Sequence, residues 1–144
     1  MPGVPPQRFV FLGPEGTFAE QALLTIPAAE RGTRIPARSV PEALDAVRDG
    51  DADAALVPLE NSIGGAVGVT FDELASGDPL MISRDVVLPV QFVLAAATAR
   101  PFAEIDSVAA HPQASAQCRQ WLRNHVPAAS VVDVLSNGAA AAAA

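Results

Sequence analysis

The stretch Arg8-Phe9-Val10-Phe11-Leu12-Gly13-Pro14 decides the fold of this chain. Its apolar residues run without alternation and stop at a Gly-Pro pair, which is typical of a strand buried on both faces of a sheet. Residues 15–29 follow with apolar side chains at helical spacing, so a helix is expected there. The pattern then predicts a strand over 34–40, a helix over 41–49 and a strand over 54–58. This β-α-β-α-β order predicts a parallel sheet with helices on its faces.

The second part of the chain repeats this order of elements. Before it come a short helix over 70–75 and strands over 80–97, which are rich in Val and Leu. The pattern then predicts a strand over 107–110, a helix over 113–124, a strand over 131–135 and a helix that begins at Asn137. We expect an α/β fold of two small lobes with mainly parallel sheets flanked by helices: a first lobe over 1–79, crossover strands over 80–97 and an incomplete second lobe over 98–144.

Charged residues are scarce and mostly acidic. They make up 17% of the 144 residues, and the formal net charge is −7. All 9 basic residues are Arg and they form no cluster, so a nucleic-acid partner is not expected. The acidic balance also disfavours an anionic membrane surface.

The composition further favours a cytoplasmic protein. A single cysteine, Cys118, excludes an internal disulfide and fits a reducing compartment. No apolar run approaches the roughly 20 residues that a membrane span needs. The start of the chain, residues 1–6, has neither the basic residues nor the apolar run of a signal peptide.

Polar residues gather where predicted strands end and helices begin. The first such junction is Gly13-Pro14-Glu15-Gly16-Thr17-Phe18, where Gly16 permits a sharp turn and Thr17 adds a hydroxyl. The start of a helix presents N–H groups that suit an anion. The alternative is an ordinary helix cap with Glu15 in the first turn.

The second junction is Pro58-Leu59-Glu60-Asn61-Ser62-Ile63-Gly64-Gly65-Ala66-Val67. It follows a predicted buried strand, and ligands bind at the carboxyl ends of strands in open α/β sheets. Its polar side chains can donate, accept and titrate, and paired glycines expose backbone amides. A polar turn whose Asn and Ser bond to the local backbone is an equally good interpretation.

Two further junctions lie in the second part. His111-Pro112-Gln113-Ala114 offers an imidazole and an amide, although a lone His is more often structural. Ser136-Asn137-Gly138 is best interpreted as a helix cap. Cys118, Trp121 and Leu122 stand at helical spacing and are expected in the core. No metal-ligand spacing is present, so no metal is expected.

At these segments the chain resembles the prephenate dehydratases, which make phenylpyruvate on the route to phenylalanine. The matching pieces stand in the family's order: residues 13–18, residues 58–67 with Thr70 and Asp72, and residues 111–114 with Gln117 and Cys118. The middle motif is the most specific, and the similarity runs over nearly the whole chain.

The resemblance implies a catalytic domain of two lobes, similar to bilobal periplasmic binding proteins, with the active site in the cleft. It implies a carbon-oxygen lyase that converts prephenate to phenylpyruvate with loss of water and carbon dioxide, without a cofactor, in a homo-oligomeric full-length protein. The implied catalytic residues are Glu60, Asn61 and Ser62, with Glu60 orienting its neighbours or tuning charge. The implied substrate-binding residues are Gly16, Thr17, Gly64, Gly65, His111 and Gln113.

One departure from the family bears on activity. The family carries a Thr-Arg-Phe triplet late in the catalytic domain, where the Thr is the acid or donor and the Arg anchors the substrate. This sequence lacks it, since Thr33-Arg34-Ile35 is too early and has no Phe, and it also lacks the family's regulatory ACT domain. We therefore expect a truncated chain that is inactive alone.

Three other interpretations remain open at this point. The chain could be a bilobal domain that binds or senses a small anion without catalysis. It could belong to an arogenate dehydratase, which recognises an amino acid side chain instead of a keto acid. It could also be a fragment with no function of its own.

Overall fold

The computed structural model describes residues 7–135 and 137–143. These residues fall into two compact units, the first ending at Val90 and the second beginning at Gln91. The first unit contains the strands β1 (Arg8–Leu12), β2 (Thr33–Ala37), β3 (Ala54–Leu56), β4 (Glu60–Asn61) and β5 (Gly65–Ala66), and the helices α1 (Phe18–Leu24), α2 (Pro27–Arg31), α3 (Val40–Arg48) and α4 (Gly68–Ser76). The second contains a 3₁₀ turn (Phe102–Glu104), β6 (Ser107–Ala110), α5 (Pro112–His125), β7 (Ser130–Asp133) and α6 (Asn137–Ala143).

The strand β1 is the centre of a three-stranded sheet in the order β2-β1-β3. Both neighbours run parallel to it, and Val10 stands opposite Ile35 on one side and Ala55 on the other. Parallel neighbours cannot be joined by a tight turn, so the chain crosses back through helices between them. The predicted parallel sheet with flanking helices is confirmed.

Successive side chains of β1 enter two separate cores, because side chains alternate along a strand. Phe9 and Phe11, which are 7% and 1% exposed, pack in one core with Leu23 of α1. Val10, which is 2% exposed, packs in the other core with Ala43 of α3. Because both faces are covered, the strand has no place for a polar side chain in its middle.

The single helix predicted over 15–29 is wrong, since the chain forms α1 and α2 with Thr25 and Ile26 between them. Pro27 is the cause. Proline has no N–H to donate to the preceding turn, so it ends a helix, but it fits the first turn of the next one.

Asp53 joins the start of β1 to the start of β3. Its carboxylate accepts hydrogen bonds from the Arg8 backbone N–H at 2.7 Å and from Arg8 Nη2 at 3.2 Å. Its own N–H donates to the Arg8 carbonyl at 2.8 Å. The hydrogen bond from the Arg8 side chain, followed by that from its backbone, lowers the pKa of Asp53. Both side chains are 43% exposed, so water and salt weaken the pair.

This lowered pKa predicts a loss of stability in acid. A carboxyl whose pKa is lower in the folded state stabilises the fold above its unfolded pKa, about 4, and the contribution is lost as the pH falls through the folded pKa. In Asp53→Asn we expect a lower midpoint temperature at neutral pH and a weaker dependence of that temperature on pH below about 5. Melting curves followed by circular dichroism would measure both. Asp51→Asn, at an exposed neighbour, is the control, and a variant of Asp53 as acid-sensitive as the parent would contradict the expectation.

Residues 79–96 contain neither helix nor strand, so the strands predicted over 80–97 are wrong as secondary structure. The alternation that predicted them is present: Val86 and Leu88 are half-buried, whereas Val87 and Val93 are 88% and 87% exposed. A strand also needs a neighbour for its backbone hydrogen bonds. Within the described residues no strand pairs with this segment.

The second unit is built on the parallel pair β6 and β7, with Ala110 opposite Asp133. The expected core position of Trp121 is wrong, since its side chain is 40% exposed. Its ring stacks on His125 at a centroid distance of 4.3 Å and meets the ring of Phe102 edge-on at 5.6 Å. Trp121 and His125 belong to α5, which has 14 residues, and Phe102 belongs to the 3₁₀ turn. Among residues 7–135 and 137–143, no helix has the length and apolar character to cross a membrane.

Candidate functional site

The first junction, after β1, is organised as a helix cap. The Thr17 hydroxyl accepts a hydrogen bond from the Glu20 N–H at 3.4 Å and donates one to the Leu12 carbonyl at 3.2 Å. Gly16 has a φ of 79°, a backbone conformation that favours glycine. The Gly16 N–H donates to Glu20 Oε2 at 2.6 Å. The local structure is therefore a helix cap, as the alternative interpretation predicted. The acidic residue in the first turn of the helix is Glu20, whereas Glu15 was expected there.

The Glu20 carboxylate also stands where an anion would bind at the start of α1. Backbone N–H groups at a helix start attract negative charge, and Glu20 supplies it from within the chain. Arg34 Nε lies 3.9 Å from the other carboxylate oxygen. An anionic ligand would have to displace Glu20 in order to reach the Gly16 N–H.

The second junction forms a hairpin of β4 and β5 (residues 60–66), which we call the site hairpin. Glu60 pairs with Ala66 and Asn61 with Gly65 in antiparallel register. Gly65 has a φ of 71°, which the turn requires and glycine adopts readily. The two short strands were not predicted, although the polar turn between them was one of the two interpretations.

Asn61 builds the turn of the site hairpin. Its Oδ1 accepts hydrogen bonds from the Ile63 N–H at 3.2 Å and from the Gly64 N–H at 2.5 Å. Such bonds to the residues just ahead are the usual way in which Asn shapes a turn. A Cβ on Gly64 would lie 2.9 Å from Asn61 Nδ2, so the glycine leaves room for the amide. Because Oδ1 is engaged in the turn, the group that Asn61 can offer a ligand is its Nδ2–H₂.

The remaining polar groups of the site hairpin face outward. Glu60, Ser62 and Gly64 are exposed, and Asn61 is half-buried. The hairpin thus presents one carboxylate, one hydroxyl and one amide within three consecutive residues. This set can donate hydrogen bonds to an anion and can exchange a proton through Glu60.

The first and second junctions lie at one edge of the sheet. β1 and β3 are parallel neighbours with Phe11 opposite Leu56, so their carboxyl ends meet there. Gly16 and Thr17 follow one strand, and the site hairpin follows the other. Within the first unit the structure therefore brings two of the predicted segments to the edge where open parallel sheets bind ligands.

The third junction lies in the second unit, after β6. His111 is the N-cap of α5, and its Nδ1 accepts a hydrogen bond from the Gln113 N–H at 3.2 Å. A neutral imidazole that accepts at Nδ1 carries its proton on Nε2. His111 therefore acts as the structural cap and also presents an Nε2–H donor. Pro112 stands in the first turn of the helix, as predicted, and Gln113 is exposed.

Near His111, the sequence prediction interpreted Asn137 only as part of a helix cap and did not include Asp133 at all. Asn137 Oδ1 accepts a hydrogen bond from the His111 N–H at 3.4 Å and so joins the starts of α5 and α6. Asp133 lines a cavity of about 320 Å³ together with His111. The predicted parallel pairing of these two strands could have indicated Asp133 as a site residue, because Asp133 is the last residue of β7 and stands opposite Ala110, the last residue of β6. Ser136, the first residue of the fourth predicted junction, lies outside the described residues.

The first unit also has a larger cavity, of about 610 Å³, which contains none of the predicted site residues. Its charged lining consists of Arg38, Glu42, Asp45, Asp49 and Asp51. The side-chain hydrogen bond from Arg38 lowers the pKa of Glu42, which keeps that carboxyl ionised. Since carboxylates outnumber the one guanidinium, this cavity repels an anionic ligand.

Fold and site together define an α/β protein with parallel sheets whose polar segments follow the carboxyl ends of strands and suit a small anion. A family model described as prephenate dehydratase matches residues 9–144. The chain belongs to the prephenate dehydratase family, as its motifs indicated.

Several relatives bear the same name. The prephenate dehydratase of Amycolatopsis methanolica is 48% identical over 136 residues, which cover 94% of this chain and 44% of that protein. That of Mycolicibacterium vanbaalenii is 45% identical, with 98% of this chain and 48% of the relative covered. The crystal structure of prephenate dehydratase from Arthrobacter aurescens, in complex with L-Phe, matches with a TM-score of 0.81 at 44% identity, over 94% of this chain and 44% of that one. The chain therefore spans about half the length of the curated relatives it matches.

Proposed function

We propose that this chain is the part of a prephenate dehydratase that contributes the site hairpin to the site where prephenate becomes phenylpyruvate. The observation that carries the proposal is the hairpin itself. In a member of this family, it presents Glu60, Asn61 and Ser62 at the edge of the sheet where ligands bind.

The chemistry of prephenate suits the donors of the site hairpin. Prephenate is a dianion. Its ring carboxylate leaves as carbon dioxide and the electron pair stays in the ring, while the ring hydroxyl takes up a proton and leaves as water. The site therefore needs donors for the departing oxygen and for the negative charge. Asn61 Nδ2–H₂ and the Ser62 hydroxyl are the side-chain donors, and the amides of Gly64 and Gly65 add backbone contacts. Glu60 would orient these groups from one side, because its carboxylate repels the substrate when placed directly against it.

The other proposed contacts come from two helix starts. Gly16 and Thr17 contact the substrate after the Glu20 carboxylate moves away from the Gly16 N–H. That carboxylate otherwise occupies the position of an anionic ligand. In the second unit, taken by itself, the His111 Nε2–H and the Gln113 side chain are the donors that the family resemblance implies. The acid and the arginine anchor of the family's Thr-Arg-Phe triplet would come from polypeptide outside these 144 residues.

A chimeric protein tests the proposal. This chain would be joined to the part of the Amycolatopsis methanolica prephenate dehydratase that it does not match, and phenylpyruvate formation from prephenate would be measured. We expect turnover by the chimera and none by this chain alone or by the relative's part alone. A folded chimera without turnover would contradict the proposal, as would robust turnover by this chain alone.

The same assay separates the rival functions. Arogenate, offered in place of prephenate, should react more slowly with the chimera, and a preference for it would favour an arogenate dehydratase. Binding of prephenate without formation of phenylpyruvate would favour a domain that binds small anions without catalysis.

A further inference from the structure

A buried hydroxyl connects α4 to the chain just before the site hairpin. Thr70 is fully buried, at 0% exposure. Its Oγ1 donates a hydrogen bond of 2.6 Å to the carbonyl of Pro58. A buried hydroxyl is costly unless it has a partner, so this bond fixes both groups in place.

The first turn of α4 holds two consecutive carbonyls of that segment. The Val67 N–H donates to the Leu59 carbonyl at 2.8 Å, beside the bond from Thr70 to Pro58. Val67, the N-cap residue, makes no side-chain capping bond. Thr70, the polar residue of the first turn, thus donates its hydrogen bond to a carbonyl 12 residues away in sequence and does not cap its own helix.

The other end of α4 is anchored to α3, so the helix is a fixed support. Arg48 of α3, whose side chain is 11% exposed, donates from Nη1 to Glu73 Oε2 at 3.1 Å. Its Nη2 donates to the Glu73 carbonyl at 2.8 Å. A Cβ on Gly77 would collide with that Nη2 atom, because the guanidinium fills the space that a side chain there would need.

We propose that Thr70 is a positioning residue of the prephenate site, whose hydroxyl sets the place of Asn61 and Ser62 by holding the Pro58 carbonyl. The proposal rests on the function proposed above and extends it to a residue that touches no substrate. Valine has nearly the shape of threonine and fills the same space, but it cannot hold the carbonyl.

Amide hydrogen exchange on this chain, without substrate, tests the geometry. Thr70→Val and Thr70→Ala both remove the hydroxyl, and we expect exchange of the Val67 and Gly64 amides to become about tenfold faster in each. Thr70→Ser keeps the hydroxyl and should stay within about twofold of the parent. Unchanged exchange in both variants without the hydroxyl would overturn the proposal. Global unfolding of both would overturn it as well, because Thr70 would then be a general stability residue.

Kinetics of the chimera test the effect on the site. Thr70→Val should raise KM by about threefold or more and lower kcat/KM by about tenfold, while Thr70→Ser restores both. Loss of folded enzyme lowers the apparent kcat but leaves KM unchanged, so the rise in KM separates positioning from stability. Leu23→Val, in the core beside Phe11, is the control that lowers the midpoint temperature without moving KM.

The exchange and the kinetic measurements distinguish a failure of the Thr70 proposal from a failure of the proposed function. Faster exchange with unchanged KM and kcat would overturn the role of Thr70 while leaving the proposed function standing. An inactive parent chimera would contradict the proposed function, whereas the exchange rates would still decide whether Thr70 holds the site hairpin.

Discussion

Phe11→Ala is expected to lower the free energy of unfolding by about 3–5 kcal/mol. Phe11 is 1% exposed and belongs to the core formed with Phe9, Leu23 and Ala29. It stands in the central strand, where neighbours on both sides restrict the collapse of the cavity that its loss creates. Domains of this size are stable by only about 5–15 kcal/mol, so the variant should be close to unfolding.

Urea denaturation of the full chain, followed by circular dichroism, measures this loss. The matched control is Phe71→Ala, at a side chain 46% exposed on α4, where a loss below about 1 kcal/mol is expected. Equal losses for the two variants would show that β1 is not the centre of the core.

Asn61→Ala in the chimera is expected to lower kcat/KM by about 100-fold. The substitution removes the Oδ1 bonds that shape the site hairpin as well as the Nδ2–H₂ donor. Asn61→Asp separates these two roles, because its carboxylate can accept the same bonds from Ile63 and Gly64 but offers no donor and adds a negative charge. If Nδ2 contacts the dianion, Asn61→Asp should be at least as impaired as Asn61→Ala.

Asn124→Ala, at an exposed position of α5, is the control for this series and should leave the rate unchanged. Recovery of activity in Asn61→Asp would limit Asn61 to building the turn. Parent-like kinetics in both variants of Asn61 would remove it from the site altogether.

Much of the first unit was predictable because it depends on local patterns. The apolar run of β1 fixed a strand buried on both faces, and the alternation of helices and strands fixed the parallel order. Pro27 could have indicated that the helix predicted over 15–29 is divided into two helices, since proline interrupts the hydrogen bonds of a helix. The glycines at 64 and 65 indicated a turn but not the strand pairing around it.

The rest could not be predicted because it depends on contacts between distant residues. Nothing in the sequence around Thr70 says that its hydroxyl reaches Pro58, and nothing around Glu20 says that its carboxylate caps the Gly16 N–H. The segment over 79–96 shows the opposite case: its alternation is that of a strand, but a strand exists only with a neighbour.

Several residues predicted to bind the ligand also have a structural role. Thr17, Asn61 and His111 are all engaged in caps or turns, so sequence could not distinguish capping from binding. Their contacts with substrate remain predictions. The donor groups that these structural hydrogen bonds leave for a ligand are the Nδ2 group of Asn61, the Ser62 hydroxyl and the Nε2–H of His111.

A crystal structure of the chimera with phenylpyruvate bound tests the central claim most directly, since the product retains one of the two carboxylates of prephenate. The account predicts phenylpyruvate against the site hairpin, within hydrogen-bond distance of Asn61 Nδ2 or the Ser62 hydroxyl. Phenylpyruvate bound elsewhere, with the site hairpin open to water, would contradict it.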